Sequence, residues 1–348
     1  MAPALSVIVP VRDEARVLAR TLPTILGQDV GDDVEFLLVD GRSSDGTPEL
    51  LRRAALEDPR VRVLDNPLQT LAGALQVGMA HARGRMVAKM DAHTFFAPDY
   101  LRLAVQRLGR GDVHWVSGPA IPFAVGPGSK AVAAALGTKL GIGGASKWPS
   151  SARGEQAEWD LDTGVFSGVM TRSALERVGA WDPGWPANED AELASRFLRA
   201  GERVLCVGGM GARYMPRESL RGLARQYGRY GFYRVKTARR HPPSMRRSHV
   251  LPPAVVLALA ASVIAPAPVR GVARAASAAY AAAIVHATAT AASSHDPATA
   301  VRLPATFAAM HLGYGVGWLL GCARFGVPGG ALWRVARGRA GRWEQEAA

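Results

Sequence analysis

Apolar residues over the first ninety positions recur in two alternating rhythms. Short, mostly apolar runs at residues 6–11, 34–39, 61–64 and 86–90, the last three each carrying one charged residue (Glu35, Arg62, Lys89), have the length and composition of buried strands. Between them, residues 14–27, 45–56 and 70–83 carry apolar positions at helical spacing. Val17, Leu18, Leu22, Ile25 and Leu26 form one such face. This βαβα alternation predicts an α/β chain built on a parallel sheet with helices on both faces. Such sheets bind ligands outside the carboxyl ends of their strands. Asp40, which closes LLVD, and Asp91, which closes MVAKMD, are expected at that edge.

The rhythm loosens between residues 113 and 168. Gly126-Pro127-Gly128 and Gly141-Ile142-Gly143-Gly144 predict a loop-rich stretch lining a site. Order returns with helices at 171–178 and 189–200, the second closed by Gly201. A strand at 203–207 and a long helix at 219–239 follow. Beyond residue 250 the chain turns Ala-rich and apolar. Segments 251–269, 275–292 and 303–322 each approach the roughly 20 residues that cross a bilayer. Prolines at the ends of the first, His286 in the second and His311 in the third leave a buried helical hairpin as the alternative.

Charge sharpens this picture. The 348 residues hold 42 Lys and Arg against 29 Asp and Glu, a net charge of +13 that draws the chain to polyanions. Between Arg213 and His249 there are eleven Lys or Arg and one acid, Glu218. That segment abuts the apolar third, as a polybasic segment gripping anionic lipid would. No nucleic-acid-binding module is recognisable. The two cysteines, Cys206 and Cys322, offer neither a disulfide framework nor a zinc cluster. The opening MAPALSVIVPVRDE lacks the basic start and long apolar core of a signal peptide, so the N-terminal part is expected in the cytoplasm.

Four groups of residues carry candidate chemistry. Asp40 can hydrogen-bond a base or ribose, or serve as a turn residue ahead of Ser43-Ser44-Asp45-Gly46. Asp91 and His93, two residues apart, can face one divalent ion that neutralises a diphosphate; Asp91 also reads as a turn cap. Asn188-Glu189-Asp190 opens a helix, where acids complement the dipole, or where one takes a proton from an attacking hydroxyl. Gln226, Arg229 and Tyr230 share a face of the long basic helix, setting an arginine fork beside an aromatic ring.

These segments together resemble the family 2 glycosyltransferases, most closely the branch that builds succinoglycan-type exopolysaccharides. The resemblance runs over about residues 5–253. It rests on SVIVPVRDE, LLVDGRSSDGT, DNPLQTLAGALQVGMAHARGRMVAKMDAH, DTGVFSGVMTRSALERVGAWDP, NEDAEL and QYGRY, in that order. It implies a GT-A fold, a Rossmann-like nucleotide-sugar half joined to an acceptor half, and inverting transfer from a nucleoside diphosphate sugar, most often UDP-linked. By the same resemblance Pro10, Arg12, Glu14, Asp40 and Gly73 fall at the nucleotide. Asp91 and His93 fall at the metal (Mn²⁺ or Mg²⁺), Asp190 at the base, and Gln226, Arg229 and Tyr230 at the Q-x-x-R-W motif. Three positions depart from the family pattern: Asp13 stands for asparagine, His93 for the second acid of D-x-D, and Tyr230 for tryptophan.

The resulting expectation is a catalytic domain over 1–240, with a donor half to about 118 and an acceptor half from about 119. An apolar helical membrane region over 241–325 and a basic tail over 326–348 complete it. A lipid-linked saccharide acceptor at the cytoplasmic face of the membrane fits this plan. Arg246 and Arg247 before the first apolar segment, and Arg334, Arg337, Arg339 and Arg342 after the last, favour an even number of crossings. The rival readings are a nucleotidyltransferase, for which Val11-Arg12-Asp13-Glu14 lacks the glycine-rich signature, and a non-catalytic membrane protein binding nucleotide sugar or anionic lipid.

Overall fold

In the computed structural model, residues 3–148 and 154–343 are described. They divide into two compact units, residues 3–121 with 146–214 and 343, and residues 122–145 with 215–342. The division at 214/215 differs from the boundary expected near 240. The long basic helix and the segment 122–145 belong with the apolar third.

Among the described residues, eleven strands build the first unit: β1 (Leu5–Val11), β2 (Val34–Asp40), β3 (Val61–Asp65), β4 (Met86–Lys89), β5 (Thr94–Phe96), β6 (Trp115–Ser117), β7 (Ala120–Pro122), β8 (Glu158–Asp160), β9 (Gly168–Thr171), β10 (Val204–Val207) and β11 (Ala212–Tyr214). Eight form one sheet in the order β3-β2-β1-β4-β9-β6-β10-β8, and β5-β11-β7 form a second. β1 pairs in parallel with β2 and β4, while β9 lies antiparallel between β4 and β6. The chain winds outward from β1 to β3 and then returns to place β4 on the other side of β1. The strand order therefore reverses between β1 and β4, where open α/β sheets bind ligands.

Helices α1 (Ala15–Leu26), α2 (Thr47–Glu57), α3 (Leu71–His81), α4 (Tyr100–Leu108), α7 (Arg172–Val178) and α8 (Glu189–Arg199) serve this unit. Leu18, Leu22 and Ile25 of α1 are buried with Val7, Val9 and Phe36. Pro10 is tolerated in β1 because the β1–β4 ladder ends at Ile8–Lys89, where Met90 N–H donates to the Ile8 carbonyl. Pro10 would face the same edge two residues on, so its missing donor leaves no bond unmade.

The second unit contains α5 (Pro127–Leu136), α6 (Lys139–Ile142), α9 (Leu220–Arg240), α10 (Leu251–Ile264), α11 (Ala267–Ala292), α12 (Pro297–Phe325) and α13 (Gly329–Ala336). The stretch expected to be loop around Gly126-Pro127-Gly128 opens α5, with Pro127 in its first turn where a missing N–H costs nothing. The α9–α12 crossing is close. A Cβ at Gly317 would stand 2.0 Å from the Gly228 carbonyl oxygen, and one at Gly231 would stand 2.1 Å from that of Tyr314. Small residues let the two backbones meet. Two stretches, Arg247–Ile264 and Ala267–Ala292, are long and apolar enough to cross a bilayer by length and composition.

Candidate active site

Three consecutive strand-to-helix connections form one side of the site, and each holds a non-glycine residue in the left-handed region. These are Asp13 (φ 52°), Arg42 (φ 56°) and Gln69 (φ 54°). Such backbone is uncommon outside glycine and persists where surrounding contacts hold it. Here the contacts are visible. Ser43 Oγ donates to Asp40 Oδ1 at 2.6 Å and accepts from the Asp13 N–H at 2.9 Å. The Ser44 N–H donates to Asp13 Oδ1 at 2.8 Å. Arg12 donates to the carbonyl and side-chain oxygens of Gln69 at 2.6 and 2.9 Å. Asp40, Asp13 and Arg12 are thus set into one preformed rim.

Gly73 lies beneath this rim. A Cβ there would meet Leu68 Cβ at 2.8 Å and Asn66 Oδ1 at 2.9 Å, so close packing accounts for the glycine. Asn66 is itself buried, and its Oδ1 has no hydrogen-bond partner among the described residues.

The other side of the site is organised by Lys89, the last residue of β4, 3% exposed. Its ammonium lies 3.2 Å from Glu189 Oε1 and 3.6 Å from Asp91 Oδ1, and it donates to Asp190 Oδ2. The second oxygens of Asp91 and Asp190 are held separately. Ser167 Oγ donates to Asp91 Oδ2 at 3.3 Å, and the indole N–H of the buried Trp181 donates to Asp190 Oδ1 at 3.1 Å. Burial opposes the charge on Lys89, but Asp190, Asp91 and Glu189 outweigh it and hold its pKa well above the ordinary value. Burial likewise opposes ionisation of Asp91, and Lys89, His93 and Ser167 outweigh it, keeping that carboxyl below its usual range. Glu189 goes the other way. Burial and the neighbouring Asp190 charge push it up to about 7.

His93 Nδ1 lies 3.1 Å from Glu14 Oε1, which joins the β4–β5 turn to the start of α1. β2 and β4 both flank β1, so the tips bearing Asp40 and Asp91 are separated by two strand spacings, about 10 Å. Tyr214 stands beside this site, with the rings of Phe166, Trp148 and His93 at 6.0, 6.2 and 6.4 Å. Ser167 is left-handed (φ 49°), and Gly168 (φ 129°) leaves no room for a Cβ, which would lie 2.6 Å from the Val116 carbonyl oxygen.

The geometry brings Asp91, Glu189 and Asp190 together around one ammonium, with Asp40, Glu14 and Arg12 on the adjoining strand tips. Gln226, Arg229 and Tyr230 belong to the second unit, on α9, where the Gln226 amide donates to the Tyr230 hydroxyl at 2.9 Å. Sequence reasoning did not identify Lys89 or the hydrogen bond from Trp181. The available signal was a lysine closing an apolar strand at the ligand edge. Among the described residues no three or more His, Cys, Asp or Glu side chains form a metal-binding group. An ionised Asp91 beside His93 is a two-residue donor set, which suits a hard cation whose remaining ligands come from substrate phosphates and water.

A model of glycosyl transferase family 2 matches residues 6–170. The chain is 33% identical over 253 residues to the succinoglycan biosynthesis protein ExoA of Rhizobium meliloti (strain 1021), covering 72% of this chain and 74% of that one. Against ExoO of the same organism it is 35% identical over 106 residues, 30% of each chain. Among solved structures, the mannosyltransferase PcManGT from Pyrobaculum calidifontis, in complex with GDP-Man and Mn²⁺, superposes with a TM-score of 0.54 at 24% identity. That match covers 90% of this chain and 87% of PcManGT. TarS 1–349 of S. aureus gives 0.50 at 12% identity, covering 94% and 92%. The mixed α/β fold is shared with both.

Proposed function

The chain belongs to glycosyl transferase family 2, and on that premise we propose that it transfers a sugar, with inversion, from a nucleoside diphosphate donor to an acceptor hydroxyl. The observation that carries the proposal is the pairing of two carboxylates, Asp91 and Asp190, at the reversal point of the sheet. Each is held by two hydrogen-bonding or ionic partners. One is suited to charge on a diphosphate and the other to a proton.

In this reading the Asp40 rim, with Arg12 and Glu14, receives the nucleoside. Asp91 and His93 would hold a Mn²⁺ or Mg²⁺ ion, which lowers the cost of negative charge on the departing diphosphate. Asp190 takes the proton from the acceptor hydroxyl. The acceptor oxygen bonds to the anomeric carbon from the face opposite the diphosphate. The anomeric C–O bond to the diphosphate breaks, and its electron pair leaves with the nucleoside diphosphate. A single displacement inverts that centre. The aromatic group around Tyr214 offers apolar faces for an acceptor sugar, and by the family resemblance Gln226 and Arg229 would stabilise the departing diphosphate or steer the acceptor.

The 33% identity with ExoA over 72% of the chain supports a role in surface or exopolysaccharide assembly. Arg247–Ile264 and Ala267–Ala292, beside the basic α9, support action at the cytoplasmic membrane face on a lipid-linked acceptor. A UDP-sugar is the first donor to try. The test is a panel of UDP- and GDP-sugars with the full chain, with and without Mn²⁺ or Mg²⁺. Release of nucleoside diphosphate from one donor, dependent on Asp190, supports the reading. Equal release by an Asp190→Asn variant removes it.

A further inference from the structure

Lys89 belongs to neither the donor set nor the base, yet it touches both. Its backbone is fixed by β1 on one side, in register with Ile8, and by β9 on the other, in register with Gly168. A residue paired on both edges near the middle of an eight-stranded sheet has little freedom to move. Its side chain is shut from solvent, so its ammonium has few places to go except among the carboxylates. The contacts divide cleanly by atom. Lys89 takes Oδ1 of Asp91, and Ser167 takes Oδ2. Lys89 takes Oδ2 of Asp190, and Trp181 takes Oδ1. A carboxylate held at one oxygen can swing about that contact. One held at both oxygens is fixed in rotation as well as position.

We infer that Lys89 is a positioning residue that registers the diphosphate-binding carboxylate Asp91 against the proton-accepting carboxylate Asp190 through one rigidly mounted ammonium. Ser167 and Trp181 supply the second point of attachment for each. This rests on the roles proposed above for Asp91 and Asp190. The chemistry gains because a displacement needs the acceptor oxygen, the anomeric carbon and the leaving oxygen nearly in line. Small misplacements of positioning groups are costly in rate. A lysine tying the two carboxylates sets that alignment before substrate arrives.

The consequence is a coupling between two residues that hold opposite carboxylates. Ser167→Ala loosens Asp91, and Trp181→Phe loosens Asp190. If Lys89 registers the two, each change reaches the other carboxylate through the ammonium. The test measures kcat and donor KM for the full-length chain, with UDP release from the donor that the panel selects, for both single variants and the double variant. UDP binding in the presence of Mn²⁺, followed by calorimetry, gives a readout apart from turnover. The expected result is a double-variant kcat that departs from the product of the single effects by about threefold or more. Ser167→Ala should weaken UDP–Mn²⁺ binding directly, and Trp181→Phe should lower kcat and weaken UDP–Mn²⁺ binding to a smaller extent through Lys89. In a Lys89→Met background the coupling should vanish, with Lys89→Arg restoring part of it. Where Lys89→Met does not fold, the Ser167–Trp181 cycle decides on its own. Effects that multiply independently, or a folded Lys89→Met enzyme of unchanged kcat, overturn the inference. Asp190→Asn separates this from failure of the parent reading: an inactive Asp190→Asn beside a fully active Lys89→Met condemns the role of Lys89 alone.

Discussion

The indole N–H of Trp181 donates to Asp190 Oδ1 at 3.1 Å while Lys89 holds the other oxygen, so the carboxylate at the first turn of α8 is fixed in position and orientation. A group held this way should act on a proton with little reorganisation. Asp190→Asn keeps the shape and removes the basicity. Transfer should fall by about 10²–10⁴-fold, while UDP binding by calorimetry stays within a few-fold of wild type.

Asp91 should behave differently. Asp91→Asn removes a charge that Lys89 and His93 keep ionised. Donor affinity and the response to Mn²⁺ should fall together, and a chelator added to the wild-type chain should reproduce the loss of activity. Turnover measured across a Mn²⁺ titration checks this. An unaltered metal response in the variant would take Asp91 out of the diphosphate site.

Glu189 gives a stability prediction whose sign is fixed by its raised pKa. The group titrates near 7 folded, against 4.5 as the ordinary value. The folded chain therefore holds this proton more tightly than the unfolded chain does. Its contribution is most favourable below about pH 4.5 and is lost as pH rises through 7. Above that, the buried charge weighs against the folded state. Glu189→Gln should raise the melting temperature at pH 8 more than at pH 5, as followed by circular dichroism.

Gly168 tests the turn that presents Ser167. Its φ is 129°, and the Val116 carbonyl oxygen lies 2.6 Å from where an alanine Cβ would stand. Gly168→Ala should therefore destabilise the first unit by about 1–3 kcal/mol. Denaturant unfolding measures the loss. A neutral substitution would mean the β9 start relaxes freely.

The chain end gives a topological prediction. The stretch Arg247–Ile264 has 18 residues, about 27 Å at helical rise, and α11 has 26, about 39 Å, against a hydrocarbon core near 30 Å. The basic residues before α10 and in the tail favour one side of the membrane. A reporter fused to the C-terminus should be accessible from the cytoplasm. Labelling by an impermeant reagent from outside intact cells would exclude that arrangement.

The strand–helix alternation through β4 was legible because each element carries a short, mostly apolar run or a 3.6-residue apolar rhythm, and Asp40 and Asp91 fell at strand ends by counting alone. The α5 helix was not, since its start reads as Gly-Pro-Gly, a turn signal that also marks a helix N-terminus with proline in the first turn. Nor was α4 at Tyr100–Leu108: Pro98-Asp99 stands just before its start, but four of its nine residues are Tyr, Arg or Gln, which blunts the apolar rhythm. Within the site, Asp91 and His93 were read as neighbours on one ion. The fold brings a more distant residue, Glu14, to His93 and carries Lys89 to carboxylates a hundred residues along the chain. Contacts of that range depend on which strands become neighbours, and no local pattern records them.

The glycine crossing of α9 and α12 has a mechanical meaning. With the Gly228 and Tyr314 carbonyls pressed against Gly317 and Gly231, the two rods interlock like gear teeth. Neither can slide along the other by a fraction of a turn. The α9 segment bearing Gln226, Arg229 and Tyr230 is therefore seated on α12, and the two backbones should shift as one body.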